Sequence, residues 1–158
     1  MMHVHTLSRE QRLPGTPESV FPFFADARNL EAITPPLLRF RIVTPEPITM
    51  RVGALILYRL RVHGVSVNWL TSIQDWDPPH RFVDQQIRGP YALWHHTHEF
   101  EPTGDGETIM RDTVRYAIGF GAFGELAHRL LVRRDLEGIF DFRARRVPEL
   151  MAAQGRLE

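Results

Sequence analysis

The run from Tyr91 to Phe100, Tyr-Ala-Leu-Trp-His-His-Thr-His-Glu-Phe, constrains the fold more than any other stretch. It follows Gly89-Pro90, a strong turn signal. Side chains along a strand alternate between its faces. Ala92, Trp94, His96, His98 and Phe100 therefore share one face, and Tyr91, Leu93, His95, Thr97 and Glu99 share the other. Trp94 and Phe100 belong against a core, so His96 and His98 point inward with them. Buried imidazoles need hydrogen-bond partners or water. The run thus predicts one wall of a polar pocket, or of a well-satisfied polar core.

The flanking segments set this strand in a sheet. Residues 4–13 alternate weakly, as an edge strand does, and Pro14-Gly15 breaks them. Thr16-Pro17-Glu18 is a helix start in which Thr16 caps, Pro17 takes the first position and Glu18 complements the dipole. A short apolar helix with Val20, Phe21, Phe23 and Phe24 follows, then a second through Ile33 that Asp26 caps. Leu38, Phe40 and Ile42 read as a second strand, after the break at Thr34-Pro35-Pro36. The third strand opens at Gly53 and turns Ile56, Tyr58, Leu60 and Val62 to one side; His63-Gly64 is a tight hairpin. The fourth turns Val67, Trp69, Thr71 and Ile73 inward and Asn68, Ser72 and Gln74 outward. The fifth places Phe82, Asp84 and Gln86 on one face, and the seventh, from about Thr108 to Ile118, groups Met110, Asp112, Val114 and Tyr116.

A long helix closes the chain, from about Phe123 to Ala153. Phe123, Leu126, Ala127, Leu130, Leu131, Ile139, Phe140, Val147 and Leu150 recur at helical spacing. Arg129, Arg133, Arg134, Arg143, Arg145 and Arg146 alternate with acids and read as a solvated, salt-bridged face. The order is one strand, two short helices, six strands and a long helix. It predicts an α+β fold in which a seven-stranded, curved antiparallel sheet is crossed by the terminal helix. One domain spans 1–158.

Composition removes whole classes of function. Lys+Arg 19 against Asp+Glu 19 leaves no net charge, so nothing draws the chain to nucleic acid or an anionic membrane. Cys 0 excludes disulfides, thiolate metal sites and a cysteine nucleophile. No apolar leader or membrane-length run is present, so stable membrane insertion is not expected and the reading is cytoplasmic.

Centring the sixth–seventh turn on Gly104-Asp105-Gly106 pairs Phe100 with Met110, His98 with Asp112, His96 with Val114 and Trp94 with Tyr116. Every pair is inward, so register and parity agree. The Gly89-Pro90 turn brings Asp84 to His96 or Trp94. The interior then carries a polar belt of Tyr58, Thr71, Asp84, Gln86, His96, His98, Asp112 and Tyr116, walled by Trp69 and Trp94. Leaving one such group unpaired costs about 1–3 kcal/mol, so the belt implies a network, water or a ligand. His96 and His98 with Asp84 or Asp112 make a two-histidine, one-carboxylate set. No motif with known ligand spacing supports it, and neither a metal nor a cofactor is expected.

Several motifs together resemble the START-like, helix-grip (SRPBCC) superfamily. They are Val20-Phe21-x-Phe23-Phe24, Asn29-Leu30-x-x-Ile33-Thr34-Pro35-Pro36, Trp76-Asp77-Pro78-Pro79, Phe82-Val83-Asp84, Gly89-Pro90-Tyr91 and His98-x-Phe100. Within it the chain is similar to the bacterial polyketide cyclase/dehydrase-like ligand-binding branch. The resemblance covers nearly the whole chain and implies a hydrophobic cavity between sheet and helix. Gly119-Phe-Gly121 departs from the pattern, which has a proline near its first position.

Three functional readings follow. The first is binding of a small hydrophobic or amphipathic molecule, oriented by the polar belt. The second is an acid–base enzyme, cyclase- or dehydratase-like, with His98 as acid or base, Asp112 orienting it, and Tyr58 or Tyr116 donating to an enolate oxygen. The third is an interaction module with a vestigial pocket. A homodimer is compatible with each.

Overall fold

The structure, a computed structural model, describes residues 1–156. Its strands are β1 (His5–Pro14), β2 (Arg41–Ile42), β3 (Leu55–Val62), β4 (Val65–Asp77), β5 (Arg81–Arg88), β6 (Leu93–Pro102) and β7 (Glu107–Ala117). They form one seven-stranded sheet in the order β1-β7-β6-β5-β4-β3-β2, antiparallel throughout. The last six strands are a continuous meander, and β1 closes on β7, so β1 and β2 are the edges. At the β3–β4 hairpin His63 and Gly64 both take left-handed backbone (φ 49 and φ 79), the geometry a two-residue turn between twisted strands demands.

Two short helices, α1 (Pro17–Ala25) and α2 (Arg28–Ala32), follow β1. Thr16 does not cap α1 through its side chain; its carbonyl instead accepts from the Ser19 and Val20 amides. The Asp26 carboxylate receives the Arg28 amide at 3.0 Å, holding the start of α2. The expected strand around Leu38 is mostly absent. Pro36–Leu38 forms a 3-10 turn, Arg39 is left-handed at φ 45, and only Arg41 and Ile42 pair with β3. Two consecutive prolines fix φ and remove donors there, which favours a turn over a ladder.

β4 departs from simple alternation. Its pairing with β5 shifts register between Leu70 and Thr71 and again between Ile73 and Asp75. Such irregularities add a residue and bend the strand. As a result Ser72, expected outward, is buried beside Thr71 and Ile73.

The terminal helix has three parts: α3 (Gly121–Ala127), a π-helical turn (His128–Val132) and α4 (Arg133–Gly155). Of the predicted stripe only the α4 part packs inward, with Phe140 and Val147 buried, and Leu136, outside the predicted set, is buried beside them. Phe123, Leu126, Leu130 and Leu131, which their spacing assigns to the buried stripe, are exposed. The wider π turn interrupts the helical period, so the stripe of α4 does not extend into α3. Among the described residues, no helix is long and apolar enough to cross a membrane.

Two apolar clusters flank a polar layer. One joins Leu13, Val20, Phe21, Phe23, Ile33, Phe82, Phe100, Met110 and Val147; the other joins Trp94, Val114, Tyr116, Leu136 and Phe140. His96 and His98 lie between Trp94 and Phe100 on β6, and Asp112 lies between Met110 and Val114 on β7. The polar layer is therefore set between two cores.

Candidate functional site

The strand pairings place the site. His98 stands opposite Asp112 and Phe82, and His96 opposite Val114 and Asp84. The side chains then cross. His96 Nε2 reaches diagonally to Asp112 Oδ1 at 2.7 Å, and His98 Nε2 reaches diagonally to Asp84 Oδ2 at 2.7 Å. His98 Nδ1 also lies 3.2 Å from Asp112 Oδ1, and His96 Nδ1 lies 3.8 Å from Asp84 Oδ2. Each imidazole is thus shared between two carboxylates. The rings stack with centroids 3.7 Å apart, and His98 stacks on Phe82 at 3.9 Å.

Burial penalises charge on all four groups, and the contacts decide which of them carry it. For Asp112, burial is outweighed by the hydrogen bond from His96 and the close approach of His98, which hold its carboxyl well below the usual range. Asp84 is likewise held down against burial, first by the His98 hydrogen bond and then by the charges of His96, His98 and Arg143. His98 is raised because both carboxylates overcome the cost of burial. His96 is lowered by burial and by the adjacent charge of His98, which its bond to Asp112 does not offset. The contacts thus favour the charged form of His98 and the neutral form of His96, between two carboxylates.

This cluster opens on a cavity of about 830 Å³ between sheet and helix. The sheet contributes Tyr58, Trp69, Thr71, Asp84, Trp94, His96 and His98 to its wall; α4 contributes Leu136, Ile139, Phe140 and Arg143. Trp69 packs edge-on against Trp94, with centroids 5.1 Å apart. Burial pushes the Tyr58 hydroxyl up, so it stays a neutral donor. Thr71 Oγ1, His98 Nδ1 and Arg143 Nε are buried and lack hydrogen-bond partners; for His98 the 3.2 Å approach to Asp112 is an ion-pair distance without hydrogen-bond geometry.

Three residues of the predicted belt do not line the cavity. Asp112 lies behind the two histidines it binds. Gln86 is turned to the β5–β6 connection, donating to the Tyr91 carbonyl at 2.7 Å and accepting from the Tyr91 amide at 3.1 Å. Tyr116 shares a 2.8 Å hydrogen bond with His128 Nε2 on the π turn.

Arg143, which the charge pattern assigns to the solvated helix face, instead faces the cavity, its guanidinium carbon 5.0 Å from the Phe140 ring centroid. Its position carries a signal. Leu136, Phe140 and Val147 are the buried residues of α4, and Arg143 falls on the same stripe.

Asp84, His96 and His98 each offer a ligand-type atom within 4.8 Å of the others, as do His5, Glu125 and His128. In the first group His96 Nδ1 and His98 Nε2 both face Asp84 Oδ2, at 3.8 and 2.7 Å, so an ion there would displace the His98–Asp84 hydrogen bond while His96 Nε2 stays on Asp112. In the second, His5 and His128 stack nearly parallel at 3.5 Å, and His5 pairs with Glu125 at 3.1 Å.

Residues 4–152 match the family described as polyketide cyclase / dehydrase and lipid transport. No curated protein matches with significance. Among solved structures, a protein from Thermus thermophilus is 21% identical with TM-score 0.74, over 95% of this chain and 99% of that one. ZhuI aromatase/cyclase from a Streptomyces species is 15% identical with TM-score 0.74, over 95% and 94%. Norcoclaurine synthase from Thalictrum flavum, bound to a transition-state analogue, is 13% identical with TM-score 0.71, over 98% of each chain. At these identities the likeness shows the helix-grip fold alone.

Proposed function

Because the chain belongs to the polyketide cyclase / dehydrase and lipid transport family, we propose that it binds one amphipathic small molecule in the cavity between sheet and helix. The apolar body lies along Leu60, Trp69, Leu136 and Phe140, and its oxygen atoms meet Thr71, His98 and Arg143. One observation carries this reading. The buried side-chain atoms without hydrogen-bond partners among the described residues belong to three residues, and all three line this cavity. Each such atom costs about 1–3 kcal/mol when left unpaired, and a polar ligand that draws these side chains toward the cavity relieves that cost. A thermal-shift and tryptophan-fluorescence screen tests it, because Trp69 and Trp94 both touch the space. A binder should raise the melting temperature and change tryptophan emission together. Stabilisation by compounds that leave tryptophan emission unchanged would place binding elsewhere.

A second reading is acid–base chemistry on the bound molecule. It is favoured by His98, which stands on the cavity wall between two carboxylates that favour its protonated form. Once one of its nitrogens turns from its carboxylate, an imidazolium there donates a proton to a carbonyl oxygen, and Tyr58 supplies a neutral hydroxyl to the same oxygen. Tyr116 has no part in it, being bonded to His128 away from the cavity. Turnover of a candidate substrate at the wild-type rate by His98→Asn would end this reading and leave the binding reading intact.

A further inference from the structure

Arg143 is a half-buried cation with no carboxylate or hydrogen-bond partner among the described residues. Six other arginines, Arg9, Arg12, Arg28, Arg111, Arg133 and Arg146, each pair with a carboxylate at the surface through hydrogen bonds. Among the described residues none places a carboxylate within 4.0 Å of Arg143, and its Nε is enclosed with nothing to donate to. Asp84 and Asp112 influence it through space only, and Asp84 Oδ2 and Asp112 Oδ1 already take bonds from His98 and His96. Guanidinium does not deprotonate in proteins, and its planar fork of five donors matches a carboxylate through two parallel bonds. The fork stands on the wall of an otherwise mainly apolar space, with Tyr58 nearby as a neutral donor.

We infer that the molecule held in this cavity carries a carboxylate, gripped by Arg143, with its apolar body against Trp69 and Phe140. The inference rests on the binding reading above and narrows it from amphipathic molecules in general to aromatic or aliphatic carboxylic acids. Phe140 lies against the guanidinium, its ring centroid 5.0 Å from the guanidinium carbon, and this cation–π contact favours that placement on the cavity wall. A neutral head group leaves part of the fork unsatisfied, and this supplies the discrimination.

The test compares two probes of one shape, 4-(1-pyrenyl)butanoate and its primary amide, with energy transfer from Trp69 and Trp94 reporting entry. The wild-type protein should bind the acid about tenfold or more tightly than the amide, as expected for a charge-assisted bidentate contact. Arg143→Gln should lose that preference while still binding the amide, and Arg143→Lys should keep part of it. Lysine keeps the charge, so it serves as the check if the glutamine variant fails to fold by near-ultraviolet circular dichroism. Equal binding of acid and amide by the wild type overturns the inference and leaves the cavity reading standing. If neither probe enters, the molecule retained in native mass spectrometry decides. An acidic one upholds the inference, a neutral one overturns it alone, and no retained molecule overturns both.

Discussion

His96 and His98 lie face to face, their ring centroids 3.7 Å apart, and each sends its Nε2 to a different carboxylate. Two stacked imidazoles enclosed in protein do not both carry charge cheaply, so the pair divides the roles. Nitrogen NMR of the histidine side chains should show one ring titrating above the ordinary histidine range and its neighbour below it. His98 is the raised member, because both carboxylates bear on it, and His96 the lowered one. Two rings titrating together near the ordinary value would contradict the division.

Asp112 is the hinge of that division, since it contacts both rings. Its carboxyl, like that of Asp84, is held low by the histidines against the cost of burial. A depressed carboxylate stabilises the fold above its unfolded value near 3.9, and that contribution is lost as pH falls through the folded value. His96 adds to the acid-side loss, because the unfolded chain takes up a proton that the buried, neutral ring resists. His98 has the opposite sign: its contribution is full below the unfolded histidine value and fades as pH rises through the raised one. Asp112→Asn keeps the shape and removes the charge, and should cost about 3 kcal/mol at neutral pH. In urea denaturation its deficit should narrow progressively as pH falls below the unfolded carboxyl value near 3.9, toward the lower folded value. A deficit independent of pH would show that packing, not charge, holds this layer.

How far the sequence reaches depends on the kind of signal. The β6–β7 pairing follows from a short turn and strict alternation, and Trp94–Tyr116, His98–Asp112 and Phe100–Met110 form as the parity dictates. Parity assigns a face but not a partner. It could not show that His98 and His96 would cross to Asp84 and Asp112, because rotamers and the approach of β5 decide that. Gln86 has the correct face and still turns to the Tyr91 main chain. Arg143 is hidden by its own charge: among interleaved acids an arginine reads as solvated, although its stripe with Phe140 and Val147 places it inside. The exposure of Phe123 and Leu126 is out of reach, since a π turn leaves no periodic mark in a sequence.

Gln86 belongs to the architecture of the β5–β6 connection. It makes two hydrogen bonds to the Tyr91 main chain, and a side chain at Gly89 would approach its Oε1 to 2.5 Å. Gln86→Ala should therefore cost about 2 kcal/mol in thermal or urea unfolding, the sum expected for two such bonds. A change under a few tenths would mean that water replaces them without loss.

The entry to α3 is equally specific. A Cβ at Gly124 would sit 1.9 Å from the Gly119 carbonyl oxygen, a backbone atom that cannot swing aside. Phe120 ahead of it is already left-handed at φ 70, so the segment has little room to adjust. Gly124→Ala should destabilise the protein by about 1–3 kcal/mol, although alanine is the better helix former. Unchanged stability would show that the Gly119–Gly121 segment relaxes freely.

The central claim is that the space between sheet and helix is a binding site whose wall residues Arg143, His98 and Thr71 meet a ligand. Native mass spectrometry of the protein purified from its own host under gentle conditions tests this most directly. The account predicts one small molecule retained per chain, lost on denaturation, and markedly depleted in Arg143→Gln. A wild-type protein that carries nothing, with no mass above the bare chain, would contradict it.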